Sequence, residues 1–473
     1  MSIKKKFILN TGIIGISKVF GGILSYIIII LLSREFGAYG LGVYSFGFAL
    51  VGIFFILTNF GFDHLLIKDL AKDPSKTEKY LSNILSLKLI IFILLFIIYI
   101  LVLPIINKNN ILIILVITAL IQGVSMIRYT FYSLLRVKNK GFSLSIIEIS
   151  ERLVSLILIY LVLMQHLSLG FFFISLFIGG ILSLVISLYL SRKDFKLKLN
   201  LNFDFTKILF KKGFPFILIG IFEMIYMQMD SIMLSFMQSG VIVGFYNAGY
   251  KLIIVLNMIP AILLIFGYPF FSRLYVQNKE ILKKLFEEIL HYCMIIIIPI
   301  VVGVYYLASR ILEAIYKFGS IESALAFKIL IVAQIFIFLT LIMGQLISAV
   351  DKQHVFAKIA GFGALINLIL NFLLIPKYSL YGAGFATLVT YFLIFLIMYI
   401  YIYRTVIKFT FFKKLVAPLT MGVVLFFVIP HLLHLNIFLI ITISAAIYLP
   451  PLGLIEYFKW KKGAKNLING FLK

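Results

Sequence analysis

One apolar stretch of this chain carries Glu223, Tyr226, Met227 and Asp230 at i, i+3, i+4 and i+7, the spacing of a single helix face. Two carboxylates in such a setting can change protonation when a charged partner moves, which is the chemistry of gating or proton coupling. The next apolar stretch supplies the partner. Lys251 lies about as deep as Asp230, with Asn247 one turn before it and Asn257 on the same face as Tyr250. A Lys251–Asp230 pair is expected, serving either as a structural tie or as a gating element. Lys18 stands well inside the first apolar stretch with no acid near it in sequence. A central Lys costs about 2.5–3.5 kcal/mol on insertion scales, so it should face a cavity or an acid of the Glu223 stretch. Arg152 follows Glu148 by four residues, a helical ion-pair spacing, and is a further cavity residue. Lys88, Arg128 and Lys328 fall nearer the ends of their stretches, where long side chains reach the interface.

The elements that must hold these residues are membrane helices. Fourteen apolar spans are read at 7–33, 41–62, 81–103, 111–134, 143–164, 168–190, 214–237, 242–270, 289–309, 325–348, 356–375, 382–403, 415–433 and 437–457. Each is near the ~20 residues needed to cross about 30 Å of hydrocarbon. The chain is 63% hydrophobic and 13% charged, about half the charged fraction of a soluble domain. Most of the 43 Lys and Arg residues crowd into the termini and alternate loops, which places those loops in the cytoplasm. With an even number of crossings both termini are cytoplasmic. The net charge of +25 is then explained by loops held against an anionic leaflet, and no nucleic-acid partner is called for.

Several function classes drop out. The outer loops, such as 34–40 and 376–381, are too short to fold as domains and hold no paired acids, which argues against a membrane glycosyltransferase or polymerase. No Gly-rich phosphate loop ending in Lys-Ser/Thr is present, so the chain has no ATP motor of its own. The single Cys293 excludes internal disulfides, and no Cys/His spacing suits a metal. No cofactor is expected. The basic run Lys4–Lys6 precedes an apolar run without a cleavage site, so it reads as a retained first helix.

The two halves repeat. Gly42-Val-Tyr-Ser-Phe-Gly-Phe48 and Gly244-Phe-Tyr-Asn-Ala-Gly-Tyr250 share Gly-x-Tyr-x-x-Gly-aromatic at an offset of 202 residues. Six spans lie between the starts of the halves, so the repeats are parallel. The expected architecture is an all-α polytopic membrane protein with about 14 transmembrane helices: two parallel six-helix repeats around a central cavity, plus two C-terminal helices. The segments are 1–190 for the first bundle, 191–213 for a basic cytoplasmic linker, 214–403 for the second bundle, and 404–473 for two further helices and a basic tail. Such transporters place their site between the halves.

Asn367-Leu-Ile-Leu-Asn371-Phe-Leu-Leu-Ile-Pro376, followed by Gly382-Ala-Gly384-Phe-Ala-Thr387, resembles the signature of spans 11 and 12 in the polysaccharide flippases. Those belong to the multidrug/oligosaccharidyl-lipid/polysaccharide exporter superfamily. Gly384 stands where the family usually has Ala, a mild departure. Arg34-Glu-Phe-Gly-Ala-Tyr-Gly40 is similar to the family's first outer loop. Asn367 and Asn371 share a face and can bond across helices. Pro376 should end its helix, and Gly382 and Gly384 allow close backbone approach.

The resemblance implies transport of a lipid-linked oligosaccharide across the cell membrane by alternating access, with spans 1, 2, 7 and 8 lining the cavity. Lys18, Arg152 and Lys251 would then attract phosphates. Asn247, Asn257, Tyr226 and Tyr250 would contact sugars, with Glu223 and Asp230 as gating or coupling groups. Membrane lipids, and an external polymerase or oligosaccharide transferase, are the implied partners. The alternative is a cation-coupled multidrug exporter of the same superfamily. Such exporters favour an acidic binding lobe, whereas the first span here carries Lys18 and no carboxylate.

Overall fold

The computed structural model describes residues 3–106, 111–138, 140–192, 199–410 and 412–471. They form α1 Ile3–Asn59, α2 Phe62–Lys72, a 3-10 turn at Pro74–Lys76, α3 Thr77–Ile106, α4 Leu112–Val137, α5 Gly141–Met164, α6 Leu169–Ser191 and α7 Phe203–Met237. The rest are α8 Gly240–Leu256, α9 Met258–Gln277, α10 Lys279–Tyr316, α11 Ile321–Ala349, α12 Gln353–Thr405, α13 Phe412–Leu432 and α14 Ile437–Phe471. No strand occurs among the described residues. Ten helical stretches among the described residues are long and apolar enough to cross a membrane, one of them, Gly240–Ala261, running from α8 into α9, and α1 and α12 each hold two of the expected spans. The last two expected spans are α5, with Glu148, Glu151 and Arg152, and α7, with Glu223 and Asp230.

The joints between spans are tighter than the sequence suggests. The expected loop at 34–40 contracts to a single break at Gly37 (φ 62°, ψ −160°), a conformation open to glycine because it has no Cβ. Spans 11 and 12 join in the same way at Ser379 (φ 53°). Pro376 therefore does not end its helix. The helix runs two residues further, and the break comes at Ser379. Conversely, the expected eighth span is two helices. The chain turns at Asn257 between α8 and α9, and Pro260, lacking an N–H, cannot bond back to the Leu256 carbonyl.

Two expected basic loops are also partly helical. Asn202 accepts from Phe205 N at 2.9 Å and starts α7 inside the expected linker. Asn278 accepts from Glu280 N and Ile281 N and starts α10 ten residues before the expected span. These caps satisfy amides that a helix start leaves without partners.

Contacts divide the chain into two compact units, Met1–Gly244 and Phe245–Lys473. The division falls inside α8 and not in the 191–213 segment, because α7 packs on α1, α2 and α3. Within the first unit α5 and α4 pack on α6, and α1 packs on α5 and α4. Within the second, α11 packs against α12, α10 and α9, while α13 and α14 rest on α10 and on each other.

Candidate functional site

Among the described residues of the first unit, three buried or partly buried charge pairs tie the helices, and only one of them is local in sequence. Arg152 of α5 reaches Glu148 one turn away, with Nη2 3.5 Å from Oε1, and its Nη1 donates to Ser25 Oγ on α1. Ser17, Gly21 and Ser25 repeat every four residues along α1. Ser17 is buried, and a Cβ on Gly21 would lie 3.0 Å from Arg152 Nε. The small stripe thus makes room for the guanidinium. On α4, Arg128 is buried and pairs with Glu151 of α5, so it does not reach the interface as its place near a span end suggests.

Lys88 departs furthest from expectation. Because α3 begins at Thr77, Lys88 lies three turns inside it and is fully buried. Its Nζ donates to Asp63 Oδ1 at 2.8 Å, to Thr130 Oγ1 at 2.8 Å and to the Met126 carbonyl at 3.5 Å. A buried ammonium needs this full set of acceptors, since an unpaired one is very costly in low dielectric.

This pair forms one wall of a cavity of about 360 Å³. From α1 come Gly52, Phe55, Ile56, Thr58 and Asn59, and from α4 Gln122, Met126 and Tyr129. From α7 come Gly220, Met224, Met227 and Gln228. All of these residues belong to the first unit. Thr58 is satisfied by the Phe55 carbonyl at 2.6 Å, and Asn59 Oδ1 accepts from Asp63 N at 3.4 Å. Gln122 and Gln228 are half-buried and have no hydrogen-bond partner among the described residues. Elsewhere in the first unit, Asp69 of α2 accepts from Lys212 Nζ at 2.8 Å and from the Tyr80 hydroxyl at 2.6 Å. Burial pushes the Asp69 carboxyl up, but the Lys212 and Tyr80 hydrogen bonds and the Lys212 and Lys68 charges outweigh it and hold it below the usual carboxylate range.

A sequence profile described as polysaccharide biosynthesis protein matches residues 7–275, more than half of the chain. The chain belongs to that family. The capsular polysaccharide biosynthesis protein CapF of Staphylococcus aureus is 25% identical over 403 residues, 83% of this chain and 98% of that one. An uncharacterized membrane protein of Methanocaldococcus jannaschii is 28% identical over 127 residues, 27% of this chain and a quarter of that protein's length. Among solved structures, the lipid II flippase MurJ in an inward closed conformation superposes with a TM-score of 0.76 at 18% identity, covering 94% of this chain and 99% of that one. An inward-facing multidrug resistance transporter of the MATE family gives 0.63 at 10% identity, covering 81% and 94%. The chain is thus a multi-pass membrane protein of the polysaccharide biosynthesis family with the fold of these transporters.

The other expected site residues are placed as follows. Lys18 is exposed on α1. The side chains of Glu223 and Tyr226 lie outside the described residues. Asp230 of α7 is buried. In the second unit Asn247 is buried, Lys251 is partly buried, and Tyr250 stacks on Tyr246 with centroids 5.8 Å apart. Asn257 accepts a hydrogen bond from Gln334 of α11, so it has a structural partner at the α8–α9 turn. Lys328 sits 5.0 Å over the Tyr305 ring.

In the signature segment, Asn371 Nδ2 donates to Asn367 Oδ1 at 3.0 Å. Gly382 lies against the Leu374 carbonyl, and Gly384 against Ile329 of α11. Asn59, Gln122 and Gln228 escaped the sequence reading because it followed charges. Neutral amides in apolar spans were the available signal.

Proposed function

We propose that this protein is a flippase that moves a polyprenyl-(pyro)phosphate-linked oligosaccharide from the cytoplasmic to the outer leaflet of the cell membrane by alternating access, for cell-surface polysaccharide or glycan synthesis. The observation that carries the reading is a chamber lined by amides and a buried ion pair inside a bundle of long apolar helices. A polar head group cannot cross hydrocarbon unaided, whereas its polyprenyl tail need never leave it. Intramembrane ionisable groups mark such pathways. The match to a polysaccharide biosynthesis family and the likeness to CapF support this substrate class. Lys18, Arg152 and Lys251 are the proposed phosphate-attracting groups, and Glu223 and Asp230 the proposed gating or coupling groups. The charge bias of the loops supports cytoplasmic termini. An external polymerase or oligosaccharide transferase would consume the product.

The test is a leaflet assay on reconstituted vesicles. A fluorescent polyprenyl-pyrophosphate oligosaccharide becomes accessible to an external hydrolase only after crossing. Faster crossing than in protein-free vesicles, slowed by Lys18→Ala and by Lys251→Ala, is the expected result. The fold likeness to a multidrug transporter favours a second reading, a cation-coupled drug exporter. A protein that moves no lipid but extrudes a cationic dye under an ion gradient would establish that reading instead.

A further inference from the structure

The cavity between α1, α3, α4 and α7 is neutral despite its charges. Asp63 and Lys88 face each other at 2.8 Å, and the other Lys88 donors are taken up by Thr130 and the Met126 carbonyl. An entering phosphate would find no free ammonium there and would meet the Asp63 carboxylate. A lipophilic cation would find no uncompensated carboxylate. What remains open to a ligand is uncharged: the amides of Asn59, Gln122 and Gln228, and the Tyr129 hydroxyl. The intervening walls are apolar, from Phe55, Met126, Met224 and Met227.

A primary amide offers a donor and an acceptor in one plane, which matches two adjacent hydroxyls of a sugar ring. The apolar and aromatic walls suit the ring's C–H faces. The volume, about 360 Å³, falls within the range of small-ligand sites. Gln122 on α4 and Gln228 on α7 line the chamber from two different helices, and both are half-buried. A ligand that covers these amides without bonding them strips them of water for nothing, so the two groups also discriminate.

We propose that this chamber binds an uncharged hexose or N-acetylhexosamine unit of the substrate, with Gln122 and Gln228 as specificity-determining residues, while the phosphate is held elsewhere. The assignment rests on the flippase reading above for its substrate, but its test does not depend on transport. The full-length protein carrying Gln122→Cys is labelled with a small maleimide in detergent, with the unsubstituted protein as background, because Cys293 is buried. Labelling is repeated with glucose, galactose or N-acetylglucosamine, with inorganic pyrophosphate, and with tetraphenylphosphonium. Gln228→Cys is run in parallel in case the first variant does not fold.

The expected result is a severalfold slowing by at least one neutral sugar and none by pyrophosphate or tetraphenylphosphonium. Slowing by pyrophosphate alone would make the chamber an anion site, and slowing by tetraphenylphosphonium alone a cation site. Either outcome, or slowing by none of the probes, overturns the proposal. Sugar protection in a protein that moves no lipid would sink the flippase reading and leave the sugar site standing. Lipid movement without sugar protection would do the reverse.

Discussion

Gly42 and Gly244, the first glycines of the two repeat motifs, face each other where α1 crosses the start of α8. A methyl group on Gly42 would collide with the Gly240 carbonyl, and one on Gly244 with the Ala38 carbonyl. Residues 38 and 240 share the 202-residue offset of 42 and 244, so the contact is reciprocal: each glycine packs on the residue four positions before the other. Backbones approach this closely only where side chains are missing.

Alanine at either position should therefore weaken the protein. Overpacking costs about 1–3 kcal/mol, and Gly42→Ala and Gly244→Ala should each lower the thermal midpoint in detergent. Gly303→Ala is the control, since nothing lies within 4 Å of its added Cβ. Equal midpoints for all three variants would refute the close crossing.

The Lys88–Asp63 pair gives a second expectation. Removing one partner of a buried ion pair costs about 3–5 kcal/mol, whereas replacing both can be nearly neutral. Lys88→Met should destabilise strongly, and Lys88→Met with Asp63→Leu should recover much of the loss. Denaturant unfolding in detergent measures this, and a double variant no better than the single one would count against the pairing.

Acid should loosen the clamp between α2 and α7. The Asp69 carboxyl lies below its ordinary range in the folded protein, so the stability it contributes is present above the unfolded carboxylate value. That contribution disappears as pH falls through the folded one. Thermal midpoints followed from neutral pH into the acid range should fall less steeply for Asp69→Asn than for the parent protein. Parallel curves for the two proteins would mean that Asp69 gains nothing from Lys212 and Tyr80.

Asn257 separates structural from substrate roles. Its oxygen accepts from Gln334, and interhelical hydrogen bonds in membranes contribute about 0.6–2 kcal/mol. Gln334→Leu should lower stability by about 1 kcal/mol through the turn between α8 and α9. Unchanged stability with altered lipid crossing would instead make Asn257 a substrate contact.

The amino-acid sequence by itself determined the class, the membrane helices and the family. Each rests on a signal local to the chain: runs of apolar residues, alternation of Lys and Arg between loops, and the Asn367–Thr387 signature. It also marked the Gly42 and Gly244 pair, although not that the two glycines would touch. The Arg152–Glu148 pair was legible too, because four residues along a helix is a fixed distance.

Only the tertiary structure decided which distant residues share an interior. Lys88 meets Asp63 and Thr130 from two other helices, and Arg128 turns to Glu151 instead of to the interface. The chamber gathers residues as far apart as Gly52 and Gln228. Depth read from a span's edge misjudged Lys88, since α3 starts four residues, about one turn, before the expected span and so places Lys88 three turns inside it. Rotation of each helix about its axis settles these encounters. That rotation depends on packing against every neighbour at once, which spacing along a single helix does not encode.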